Sequence, residues 1–127
     1  MVNDMSTNII KINRGDSYEL PIRIPEKTDY FKNHKLKADE AVYFALMYPH
    51  QKFEDAIILR GYDNTDQNEN DEIIIKIEPN DTKTLTPGVY YYTVKFQKGG
   101  SLRDFGASEA PEEVRTLIER IKFIINE

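Results

Sequence analysis

Glu78-Pro79-Asn80-Asp81-Thr82-Lys83-Thr84-Leu85-Thr86-Pro87-Gly88-Val89-Tyr90-Tyr91-Tyr92-Thr93-Val94-Lys95 is the stretch whose reading decides the fold. A strand closes at Glu78, a Pro/Asn/Asp turn follows, and Pro87-Gly88 opens a second strand. In that second strand Tyr90, Tyr92, Val94 and Phe96 fall on one face, and Val89, Tyr91, Thr93 and Lys95 on the other. Tyr90 has the spacing of a tyrosine corner, in which the phenol hydroxyl bonds backbone a few residues upstream and pins the crossover between two sheets. Gly88 relieves the adjacent backbone, and Asp81 is placed to cap the short turn through its carboxylate. Asp81, Gly88 and Tyr90 are therefore the expected structural corner, with Tyr92 filling core.

The same reading extends outward. Ile73, Ile75 and Ile77 point one way, while Ile74, Lys76 and Glu78 point the other. Ala41 to Tyr48 is apolar on both faces, as in a central strand between packed layers, although periodicity alone also fits a buried helix. Asn8 to Ile12 and Ala56 to Arg60 are short β-type runs. Tyr18, Leu20, Ile22 and Ile24 alternate with Glu19, Pro21 and Arg23, and Pro21 places that strand at an edge or a bend. Arg14-Gly15-Asp16 reads as a turn; it spells an adhesion tripeptide, but a tight link between two strands favours the plain turn.

Residues 114–125 carry two patterns. Val114, Leu117, Ile118, Ile121 and Ile125 make a helical stripe, and Leu117, Ile121, Phe123 and Ile125 alternate as a strand with a bulge near Glu119-Arg120. β-branched and aromatic enrichment favours the strand. About seven short strands separated by turn signals predict an all-β, immunoglobulin-like two-sheet β-sandwich. The 127 residues form a single domain, with 1–7 as a polar N-terminal arm.

A net charge of −5 disfavours nucleic acid and anionic membrane surfaces as partners. The absence of cysteine removes disulfides, thiolate chemistry and Cys-based zinc sites. No apolar run approaches the roughly 20 residues of a membrane span, and Met1 to Asn8 lacks the apolar stretch of a signal peptide. Synthesis in the cytoplasm without processing is the expectation.

Few residues invite chemistry. Asp63, Asp66, Glu69, Asp71 and Glu72 cluster in an acidic connector over 63–72, but their spacing does not match a calcium loop and a solvated link is expected. His34 and His50 stand in no ligand motif. No serine lies in a nucleophile elbow, and Gly99-Gly100 is too small a fragment for a phosphate loop. No catalytic residue, metal site or cofactor is expected. A hydrolase would need a pocket joining His34 or His50 to a carboxylate.

The aromatic surplus points elsewhere. Tyr30, Phe31, Tyr43, Tyr48, Phe53, Tyr62 and Tyr91 exceed what one small core needs, and tyrosine at a half-buried surface favours protein contacts. Tyr43, Tyr48, Tyr62 and Tyr91 are the candidate interface, with Tyr30 and Phe31 as anchors of the polar 25–40 loop. An alternative reading is a carbohydrate-binding sandwich on a tail fibre or cell surface, which would present a coplanar exposed set such as Tyr43, Tyr48 and Tyr62.

Gly15-Asp16, Pro79, Asp81-Thr82, Leu85, Pro87-Gly88, Tyr90, Tyr92, Val94 and Lys95 together carry a family likeness. The pattern resembles small immunoglobulin-like structural proteins of tailed bacteriophages, and is similar to the N-terminal domain of phage baseplate upper proteins. It covers most of Ile9 to Ile125 and is sharpest from Glu78 to Lys95. The resemblance implies a non-catalytic virion module, made in the bacterial cytoplasm and held in the particle by contacts with other virion proteins or with itself. A baseplate, neck, tail or capsid decoration or adaptor role follows from it. Two departures accompany the likeness: the Gly99 to Glu112 loop is longer and more charged than a simple hairpin, and the sequence ends at Glu127 where a baseplate upper protein continues.

Overall fold

The computed structural model describes residues 9–29, 31–99 and 112–127. The expected arm 1–7, Tyr30 and most of the Gly99 to Glu112 loop lie outside the described residues. The order is β1 (Ile10–Asn13), β2 (Tyr18–Arg23), β3 (Glu40–Met47), β4 (Ile58–Asp63), β5 (Glu72–Ile77), a single-turn helix α1 (Pro79–Thr82), β6 (Gly88–Lys98) and β7 (Glu113–Asn126). Five strands form one sheet in the order β1-β7-β6-β3-β4, and β2 pairs with β5 in a second. Among the described strands only the β1–β7 pair is parallel. β3, β6 and β7 thus stand in the C–F–G order of an immunoglobulin sandwich, with β2 and β5 in the B and E places facing them. The chain is an all-β, two-sheet sandwich.

The core is the period-two alternation made solid. Val42, Phe44 and Leu46 of β3, Tyr90, Tyr92, Val94 and Phe96 of β6, and Phe123 and Ile125 of β7 meet Ile22, Ile73, Ile75 and Ile77 of the smaller sheet. Burial of Tyr92 among them pushes its phenol up to about 12. β3 is a strand rather than a helix, and all eight of its residues are buried. Its second face is covered because the β3–β4 link folds back over it. A 3-10 turn, Phe53–Asp55, packs Phe53 against Ala41, Tyr43, Ala45 and Met47. That turn ends at Asp55 with Ala56 as its C-cap, and β4 begins at Ile58, two residues into the run read as a strand from Ala56.

β7 resolves the double pattern of its sequence. It is a strand throughout, and Arg120 sits in the left-handed region at φ 47. Its N–H donates to Thr93 Oγ1 at 3.1 Å. Pairing with β6 shifts register between Tyr92 and Lys95, so a bulge resets which residues face inward. Ile118 and Ile121 consequently both reach the core, an interval of three that imitates a helix. Pro21 lies opposite Ile74 in the two-stranded sheet, where β2 pairs with β5 alone among the described strands.

Candidate functional site

The corner is built from the opening stretch. Tyr90 is 4% exposed and its hydroxyl donates to the Thr86 carbonyl at 2.6 Å. Burial, followed by the neighbouring Tyr48 phenol, raises the Tyr90 hydroxyl above its ordinary range. Gly88 enters β6 at φ +157, a value L side chains rarely adopt. Asp81 accepts from the Glu78 amide at 2.6 Å, while the Glu78 side chain caps the other end of the box. The Asp81 carboxylate also takes both ends of the Arg60 guanidinium from β4. Burial alone would lift Asp81, but Arg60 and the Glu78 amide hold it below the usual aspartate value. Thr82, fully buried, accepts from the Gly15 amide at 3.0 Å. Gly15 has φ +87 in the β1–β2 turn, so the adhesion-like tripeptide is a structural turn tied to the corner.

At the opposite end three links converge, because the register sets Arg23 beside Glu72, Glu40 beside Lys98 and Lys98 beside Glu113. They are fastened to one another. Gln67 of the β4–β5 link accepts from the Leu36 amide at 2.8 Å and donates to the His34 carbonyl at 3.0 Å. The Gly99 amide donates to Asp39, and Arg115 of β7 donates to the Pro25 carbonyl at 3.1 Å. Lys27 pairs with Glu113 at 3.4 Å. Phe31 stands out of this end, 89% exposed, and is not the anchor its composition suggested. The anchors are Leu36, 5% exposed, and His34.

His34 lines a groove of about 170 Å³ with Glu26, Glu40, Phe96, Lys98 and Arg115 among its walls. Its Nδ1 lies 3.0 Å from Glu26 and its Nε2 lies 2.7 Å from Glu40. An imidazolium donates to both carboxylates; a neutral ring donates to one. Its ring meets the Phe96 edge at 5.7 Å, and the Arg115 guanidinium lies over Phe96 at 4.9 Å. Glu40 is 3% exposed and also accepts from the Lys37 amide at 2.8 Å. Burial pushes the Glu40 carboxyl up, but the Lys37 amide and His34 outweigh it and hold Glu40 below the ordinary glutamate value. The histidine–carboxylate pocket a hydrolase would require is therefore present, yet both ring nitrogens are engaged in fastening the loop. His50 is exposed in a turn at the far end.

The four candidate interface tyrosines do not share a surface. Tyr43 is 1% exposed beneath the Phe53 turn, which corrects its assignment to an interface: it fills the small second layer. Tyr48 is 50% exposed at the corner end, its ring 5.5 Å from Tyr90. Tyr62 packs against the core on the inner face of β4, beside a hollow of about 360 Å³, and burial raises its phenol. Tyr91 is half-buried on the outer face of β6, with the Arg120 guanidinium 5.8 Å from its ring. Tyr43, Tyr48 and Tyr62 thus form no coplanar exposed set, the feature that would favour a sugar-binding surface.

The acidic connector folds on itself. Asp63 and Asp66 exchange capping bonds around a 3-10 turn, Asn64–Asp66, and Asn68 accepts from the Asn70 and Glu72 amides at 2.9 Å. Among the described residues no group of three or more His, Asp or Glu is placed to hold a metal ion, and no helix is long and apolar enough to cross a membrane. The sequence did not reveal Arg60, Gln67, Glu26, Glu40 or Arg115 as fasteners. Arg115 and Pro25 are 90 residues apart, and no local pattern encodes such a pair. Compared with family models, curated proteins and solved structures, the chain matches none.

Proposed function

We propose that the chain is a non-catalytic structural and interaction module of a phage virion, a decoration or adaptor of baseplate, neck, tail or capsid that works by contacts with other virion proteins or with itself. One observation carries the non-catalytic part: the ionisable groups of the His34 groove hold links together. His34 bridges Glu26 and Glu40, and Lys27 meets Glu113. An active site keeps a nitrogen or carboxylate directed at a reacting atom; here these groups fasten links to one another at one end of the sandwich. The virion part rests on the resemblance. The residues that carry it include Gly15, Asp81, Thr82 and Tyr90, which tie the first turn, the crossover and β6 into one corner. The absence of a membrane-length apolar run and the net charge of −5 agree with contacts to protein.

The test is light scattering of the purified chain combined with its use as bait against dissociated particles from the native host. Self-association, or a virion protein retained after stringent washing, is the expected result. A strict monomer that retains no virion protein contradicts the proposal.

A further inference from the structure

The outer face of the five-stranded sheet is divided in two. Over β3 the chain covers itself: the Phe53 turn buries Ala41, Tyr43, Ala45 and Met47. Farther along, the same link reaches β6 and β7, with Lys95 over the Phe53 ring and Arg120 on the Pro49 and Gln51 carbonyls. Over β1 and the paired stretches Val89 to Tyr91 of β6 and Lys122 to Ile124 of β7 no described segment plays that part. There the register sets Lys11 beside Ile124, Ile124 beside Val89, and Lys122 beside Tyr91. Val89 is 46% exposed and Ile9, just before β1, is 36% exposed. Ile124 and Tyr91 are half-buried, and both lysines are exposed.

Within the patch formed by Ile9, Lys11, Val89, Tyr91, Lys122 and Ile124 the charge is of one sign, and Glu54 and Glu119 stand beyond Arg120, around the hollow over Thr93 and Lys95. Neither Lys11 nor Lys122 forms an ion pair with a described carboxylate, whereas Lys27, Lys35, Arg14, Arg60 and Arg115 all do. Arg120 borders the patch and gives its N–H groups to Pro49, Gln51 and Met47, none of them anionic. A positive strip with an aliphatic and aromatic centre thus stands on a chain whose net charge is −5. Three adjacent strands span about 10 Å between outer axes, close to the width of one packed element of a partner.

We propose, on the reading of the chain as an interaction module, that Ile9, Lys11, Val89, Tyr91, Lys122 and Ile124 form a docking surface for an acidic protein partner. The partner's apolar side chains would cover Val89 and Ile124, and its carboxylates would meet Lys11 and Lys122. Charge decides against a second copy docked through the same face. A two-fold contact is self-complementary and would bring this lysine-bearing strip against itself, and like charges brought together across an interface are disfavoured. The apolar centre decides against nucleic acid, which needs a denser basic surface.

Nuclear magnetic resonance titration of the full chain tests this with three probes: an amphipathic Leu/Glu peptide, its Leu/Lys counterpart and oligo-dT. The Leu/Glu peptide is expected to shift amides of Lys11, Val89, Tyr91, Lys122 and Ile124, with little response to the other two. The double variant Lys11→Glu with Lys122→Glu should lose at least tenfold in affinity for the Leu/Glu peptide and turn its preference to the Leu/Lys peptide. Both positions are exposed, so an unchanged melting temperature serves as the folding control. Shifts centred elsewhere, equal response to both peptides, or oligo-dT binding on this face would overturn the proposal. The double variant used as bait against dissociated particles separates the two readings. Undiminished capture refutes the surface and leaves the module standing, while no capture by the unaltered chain, together with a strict monomer in light scattering, refutes the module itself.

Discussion

Replacing Asp81 by alanine should be among the most damaging single changes outside the core. The carboxylate accepts two bonds from Arg60 and one from the Glu78 amide, so it joins β4, α1 and the end of β5. Its side chain is 11% exposed and that of Arg60 is 34% exposed. An exposed ion pair is worth about 0–1 kcal/mol, and breaking a buried one costs about 3–5 kcal/mol. This pair lies between those limits, and the lost cap adds about 1 kcal/mol. We expect Asp81→Ala to cost about 2–4 kcal/mol, taking the pair's intermediate burial into account. Asp81→Asn keeps an acceptor for the Glu78 amide and should cost about half as much, since the cap survives. Urea denaturation measures this, with a shifted midpoint and an unchanged slope. A double-mutant cycle with Arg60→Ala should give a coupling of about 1–2 kcal/mol. A cost for Asp81→Ala below about 0.5 kcal/mol, the level of an ordinary surface change, or strict additivity with Arg60→Ala, would refute the corner account.

Three further outcomes follow from the same geometry. Tyr90→Phe removes only the bond to the Thr86 carbonyl and should cost about 1 kcal/mol, seen as a lower midpoint in urea; full stability would mean the hydroxyl pins nothing. Phe53→Ala uncovers the second layer over β3 and should cost about 3 kcal/mol, with hydrogen exchange rising at Tyr43 and Ala45 before the inter-sheet core opens. Asp81 and Glu40 both have folded carboxyls held below their free values of 3.8 and 4.5. The unfolded chain therefore takes up protons first, so their contribution is complete above about pH 4.5 and is lost as pH falls through the depressed folded values. Urea midpoints from pH 7 to pH 3 should fall on the acid limb, less steeply in Asp81→Asn; the same slope in both would remove Asp81 as a contributor.

What was legible in the sequence is what repeats locally. Tyr90, Tyr92, Val94 and Phe96 alternate with polar or exposed neighbours, and β6 lies where that alternation placed it. Ala41 to Tyr48 was readable as doubly covered, although the sequence did not show that the cover is Phe53 from the very next link. The 114–125 region was ambiguous because a bulge at Arg120 changes the facing parity within one strand, and an interval of three is also helical. The fastened loop end was not legible. Glu26, His34 and Glu40 sit in a charged stretch that reads as solvated link, and only folding brings two carboxylates to one imidazole. The tyrosines misled for the same reason: their number predicted a surface, but Tyr43 and Tyr62 belong to two different packed layers.

The claim that the chain is a built-in part of a particle is most directly tested by quantitative mass spectrometry of particles purified from the native host. The account predicts the chain at a fixed integer ratio to a known structural protein of that particle, unchanged through repeated density-gradient purification. Its absence, or a ratio that falls with each round of purification, would contradict it.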